Sequence, residues 1–155
     1  MSVLIIAGLD SSTGAGLARD LAVIADHGMT ARVAATAVTA QDATGGCTVH
    51  PVPAAMVAAQ IRAAGPLRAA KLGMLANASI VEAVAATLPD LPFVLDPVLA
   101  TSAGAQVVAP GDLADWPIPA GRVVLCCSTG LRAWRGAQVL AARGATALAL
   151  LADGQ

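Results

Sequence analysis

Residues 9–21, LDSSTGAGLARDL, follow the apolar run VLIIAG and set two glycines, Gly14 and Gly16, between the carboxylates of Asp10 and Asp20. A glycine-rich turn that opens a helix leaves backbone N–H groups free to face a small polar ligand. A carboxylate one turn further on, at Asp20, accepts hydrogen bonds from an amine or a hydroxyl. Two phosphate-binding loops are excluded. Leu17, Ala18 and Arg19 follow Gly16, so G-x-G-x-x-G lacks its third glycine, and no Gly-Lys-Ser/Thr follows Gly8 as a Walker A loop requires. Similar polar clusters recur down the chain: Gln41 and Asp42, then residues 73–77, then Asp96 and residues 101–104. Any one of them alone has the chemistry of a turn or a helix cap. Four of them at matching places in a repeating architecture describe a pocket.

That architecture is legible in the spacing. Apolar runs over 3–8, 31–39, 69–75, 93–98, 122–127 and 146–152 alternate with alanine-rich segments of helical period over 14–27, 54–64, 78–88 and 131–143. Strands alternating with helices predict βαβ units on a mainly parallel sheet. The strands are apolar on both faces, so helices cover both sides and the expected fold class is a three-layer α/β/α sandwich. Gly28, Gly65 and Gly144 stand where helices end, and Pro53 and Asn77 where they begin. Each polar cluster then falls after a strand, at the carboxyl edge where such sheets bind ligands.

Bulk composition narrows the partners. The 155 residues suit one domain, and 57% hydrophobic against 12% charged residues implies a large buried core. No apolar stretch nears the ~20 residues of a membrane span, and the N-terminus has no basic region before its apolar run, so a cytoplasmic protein is expected. A formal net charge of −1 without basic runs argues against nucleic acid. Cys47, Cys126 and Cys127 are an odd number without C-x-x-C spacing, which argues against a disulfide framework and a zinc site. The adjacent pair reads as small buried side chains.

The stretch AGLDSSTGAGLARDL resembles the opening motif of the hydroxymethylpyrimidine and phosphomethylpyrimidine kinases, the thiamine-biosynthesis branch of the ribokinase-like superfamily. TAVTAQDATG, VHPVPAAMVAAQI, AAKLGMLANASIVEAV and FVLDPVLATSAG follow in the family's order, so the resemblance covers roughly residues 3–104. It implies a pyrimidine pocket with Ala15 and Gly16 at one wall and Asp20 in polar contact with the ligand. Gln41 would hydrogen-bond the aminopyrimidine edge, Met74 and Val98 would pack on the ring faces, and Asp96 would lie near phosphate and metal. The residue types suit such a ligand, since a flat ring of alternating donors and acceptors is defined by a carboxylate, an amide and a few apolar side chains. Met74 reads equally as ordinary core.

Beyond residue 104 the resemblance fades. CCSTGLRAW stands where the family has TPN and an acidic residue, so Ser128 replaces the asparagine and Leu131 the glutamate. No later Gly-x-Gly turn appears, and the only lysine, Lys71, falls inside a strand. Leu9, Ser11 and Thr13 stand where the family has a small polar residue, proline and glycine, and threonine tolerates positive φ poorly. The expectation is a shortened ribokinase-like domain over 1–155, with a family-like substrate half at 1–104 and a divergent end at 105–155. Its expected function is to bind hydroxymethylpyrimidine, its phosphate or a related ring without phosphorylating it, and no catalytic residue or metal ligand is assigned. A kinase completed by a partner chain or a dimer is the alternative, and only that reading requires ATP and magnesium. A structural or regulatory interaction protein is the third. A shorter fold uncovers surface that a longer one buries, so a homodimer or heteromer is expected through that face. Trp116 and Trp134 in the divergent end would be core or interface anchors.

Overall fold

The structure, a computed structural model, describes residues 2–41, 47–96, 123–127, 131–145 and 148–152. Eleven elements follow one another in the described residues. They are β1 (Ser2–Asp10), α1 (Gly16–Asp26), β2 (Thr30–Gln41), β3 (Cys47–Pro51), α2 (Ala54–Ala63), β4 (Ala69–Leu72), α3 (Ala78–Thr87), β5 (Phe93–Leu95), β6 (Val123–Cys127), α4 (Leu131–Ala142) and β7 (Leu148–Ala152).

Five strands form one sheet in the order β3-β2-β1-β4-β5, and β6 pairs with β7 in a separate parallel ladder. β1 runs parallel to β2 and β4, and β4 parallel to β5. β3 alone is antiparallel, paired to β2 from Ala37↔Pro51 to Gln41↔Cys47. The sheet is therefore mixed, with an antiparallel edge that the hydrophobic pattern did not announce. Cys-Thr-Val-His-Pro is short and polar, and its proline is tolerated because the strand lies at an edge.

Burial divides by parity along β1, as a strand between two helical layers requires. Leu4 and Ile6 pack with Leu72, Val57 and Ile61 of α2, and Ile80 and Val84 of α3. Ile5 and Ala7 pack with Leu17 and Ile24 of α1 on the other face. The layers are thus α2 and α3, the sheet, and α1, the three-layer arrangement expected. Helix ends follow their signals: the Asn77 side chain accepts from the Ile80 N–H at 3.0 Å, and Gly28, Gly65 and Gly144 take positive φ past α1, α2 and α4. Among the described residues no helix is long and apolar enough to cross a membrane.

The topology creates the crevice. From β1 the chain crosses to β2 on one side, then returns through β3 and α2 to β4 on the other. Loops leaving β1 and β4 diverge at such a switch point, and the gap at the carboxyl ends of the strands takes ligands. A register shift between Ala7↔Ala35 and Leu9↔Val38 places an extra residue in β2 just below it. Bulges of this kind re-aim a strand next to a site.

Candidate functional site

The loop after β1 is organised by Asp10, which is 6% exposed. Its carboxylate accepts from the Ser12 N–H at 2.9 Å, the Ser12 hydroxyl at 2.8 Å and the Ala15 N–H at 3.0 Å. Its carbonyl oxygen accepts from the Thr13 N–H at 3.1 Å. At Ser12 and Ala15 the turn spends its N–H groups on the Asp10 carboxylate and at Thr13 on the Asp10 carbonyl oxygen, so the turn ahead of the helix is closed on itself, while the start of α1 carries no side-chain cap. Gly16 then folds back against Leu9 at φ +60, where a Cβ would collide with the Gly8 carbonyl oxygen. Only glycine fits, which places Ala15 and the start of α1 beside the end of β1. Thr13 holds φ +63, the left-handed conformation that the glycine of the family's motif would adopt without strain.

Asp20, expected in polar contact with a ligand, also has a partner within the protein. Its Oδ2 meets the Lys71 ammonium at 2.7 Å, and the same ammonium lies 3.9 Å from Asp96 at the end of β5. Lys71 therefore joins α1, β4 and β5 through one cation, all three side chains being only partly exposed. The sequence places it only inside a strand. The signal of a partner is a lone lysine in an otherwise apolar strand, since a cation there needs a carboxylate.

Gln41 ends β2. Its backbone N–H donates to the Ser11 hydroxyl at 3.0 Å, and its side-chain Nε2 donates to Thr39 Oγ1 at 3.1 Å. Thr39 in turn donates to the Leu9 carbonyl at 3.1 Å, so loop, strand and amide form one chain of bonds. Ser11 makes a contact that a proline could not. Across the crevice Met74 is half-buried, and its Cε lies 2.6 Å from where a Gly8 Cβ would stand. Thr36, fully buried in β2, donates to the Met74 carbonyl and ties the 73–77 turn to the sheet.

Ala15, Gly16, Gln41 and Met74 thus gather at the carboxyl ends of β1, β2 and β4, with Asp20 and Asp96 joined through Lys71 beside them. Thr36, Thr39 and Asp10 are the residues that the motif reading passed over. Val98, Asp42, residues 101–104, Trp116 and Ser128 lie outside the described residues. Trp134 in α4 is 51% exposed, which corrects its reading as a core anchor. Among the described residues no group of three or more His, Cys, Asp or Glu side chains converges to hold a metal ion, and Asp20 and Asp96 share the Lys71 ammonium.

Comparison with known proteins agrees with this fold. The family model described as phosphomethylpyrimidine kinase matches residues 10–116. The hydroxymethylpyrimidine/phosphomethylpyrimidine kinase of Haemophilus influenzae is 43% identical over 112 residues, which are 68% of this chain and 42% of that protein. The chain thus spans about two fifths of the length of that curated relative. The crystal structure of phosphomethylpyrimidine kinase from Clostridium difficile superposes with a TM-score of 0.75 at 26% identity, covering 100% of this chain and 78% of that one. The pyridoxal kinase from Staphylococcus aureus in complex with pyridoxal gives 0.72 at 25% identity, over 96% and 63%. With a family match across most of its length and the ribokinase-like fold, this chain belongs to the phosphomethylpyrimidine kinase family.

Proposed function

We propose that this chain binds hydroxymethylpyrimidine or its phosphate in the crevice between the carboxyl ends of β1, β2 and β4, and does so without transferring a phosphoryl group. The observation that carries the reading is the Gln41 amide, anchored at its backbone by Ser11 and at Nε2 by Thr39, on the same strand edge as the half-buried Met74. A flat heterocycle needs one preorganised polar edge and one apolar face, and these two side chains supply them. The kinases to which the chain is similar are named for this pyrimidine, which supports the same ligand class here. Ser128 and Leu131, in place of the family's asparagine and acidic residue, support binding without turnover.

Calorimetric titration of the purified chain with hydroxymethylpyrimidine, with and without magnesium and ATP, tests the reading. Saturable binding is expected, unchanged by the nucleotide and weakened about tenfold or more in Gln41→Ala through loss of one buried hydrogen bond. Absence of saturable binding contradicts it. A second reading, a kinase whose remaining machinery another chain supplies, is favoured by Asp96 lying beside the Lys71 ammonium on the same edge. Magnesium-dependent formation of ADP with the pyrimidine would establish that reading instead.

A further inference from the structure

We infer that Thr39 determines which ring the crevice accepts, by fixing the direction in which the Gln41 amide faces; the inference rests on the pyrimidine reading above. Thr39 is buried near the end of β2, and its hydroxyl carries a single proton. The Leu9 carbonyl, 3.1 Å away, can only accept, so the proton goes there. What remains to the hydroxyl is acceptor capacity. The group 3.1 Å away on Gln41 must then donate, which makes it Nε2 and not Oε1. The two ends of an amide are alike in shape and are told apart only by their partners, and here the partner leaves one choice. The Gln41 backbone is held as well, by its N–H on Ser11 Oγ.

With one Nε2 hydrogen on Thr39, the amide offers a ligand Oε1, which requires a donor, and the second Nε2 hydrogen beside it, in an order that Thr39 fixes. The exocyclic amino group of an aminopyrimidine is such a donor. The same ring with an oxo group in that place presents an acceptor, and two acceptors face to face lose a hydrogen bond and repel. A site built to bond one polar group rejects the analogue lacking it far more strongly than an apolar wall rejects a change in size. Thr39 is thus a positioning residue. It touches no ligand and sets the polarity of the one that does.

The test compares 4-amino-5-hydroxymethyl-2-methylpyrimidine with its 4-oxo counterpart by calorimetry, on the wild type, Thr39→Val and Thr39→Ser. The wild type is expected to favour the amino ring by roughly a hundredfold. Thr39→Val keeps the shape and strand preference but removes both proton and lone pair, so the amide can turn. The preference is then expected to fall to about tenfold or less, with the oxo ring gaining as the amino ring loses. Thr39→Ser restores the wild-type ratio. A role in packing alone would weaken both rings together with the ratio unchanged, and that result overturns the inference. Should Thr39→Val not fold, Gln41→Glu, an acceptor at both oxygens, is expected to keep the amino preference, and a reversal toward the oxo ring overturns the inference. A wild type that binds both rings alike overturns this inference alone. A wild type that binds neither overturns the pyrimidine reading beneath it.

Discussion

Thr13 holds a conformation that a β-branched residue adopts at a cost. Its φ of +63 brings Cβ against the backbone, and left-handed geometry costs an L-residue roughly 1–2 kcal/mol. The Asp10 network supplies the restraint, since the neighbouring N–H groups at Ser12 and Ala15 are bonded to one carboxylate. Thr13→Gly removes the strain but enlarges the freedom of the unfolded chain, which offsets about 0.4–1 kcal/mol of the gain. A net stabilisation of about 0.5–1 kcal/mol is therefore expected from urea unfolding. Equal or lower stability would mean that the turn is not strained at Thr13. The sequence pointed to this position because threonine stands in the place of a motif glycine. It did not reveal that Asp10 consumes the turn's donors, since an open anion cradle and a turn closed on its own carboxylate are written in the same residue types. The partner of Lys71 was illegible for another reason: Asp20 lies 51 residues away, and only the packing of α1 on β1, the neighbour of β4 in the sheet, brings them together.

At the level of elements, helices were legible and the sheet edge was not. The period of α2 and α3 and the caps at Asn77, Gly28 and Gly65 are local signals, and the structure places them within a residue or two of the expected ends. The pairing of β3 depends on contacts with β2 that no local pattern in Cys-Thr-Val-His-Pro encodes. Because β3 ends with Pro51 opposite Ala37, the earlier part of β2 has no strand partner on that edge among the described residues. Gln60 of α2 fills that place: its Oε1 accepts from the Ala35 N–H at 3.0 Å and its Nε2 donates to the Ala35 carbonyl at 3.2 Å. One side-chain amide thus imitates a strand. Gln60→Ala leaves both Ala35 groups unpaired at a partly buried edge and is expected to cost about 1–3 kcal/mol. Hydrogen exchange checks the cause as well as the size, since the Ala35 amide should lose protection while that of Ile6, in the centre of the sheet, changes only by the global loss. Unchanged protection at Ala35 would show that water replaces the glutamine without cost.

Across the whole molecule, the site is a product of strand order. β1 lies at the centre of β3-β2-β1-β4-β5, so the loops after β1 and β4 part and leave the crevice between them. Gln41 reaches it along β2, Met74 along the turn after β4, and Ala15 through the fold-back at Gly16. A net charge of −1 and mean hydropathy of +0.73 describe a molecule with little long-range field, so the proposed recognition would rest on short contacts within this gap. The methionines make those contacts observable. The chain has four, and Met29 and Met56 are exposed away from the crevice, before β2 and on α2. The most direct measurement is the NMR spectrum of the ¹³C-methyl methionine-labelled protein during titration with hydroxymethylpyrimidine. The account predicts a saturable shift of the Met74 methyl, with Met29 and Met56 unmoved, and loss of that shift in Gln41→Ala at the same ligand concentration. A spectrum in which Met74 stays still as the ligand saturates, or in which Met29 or Met56 moves instead, would place the ligand elsewhere and contradict it.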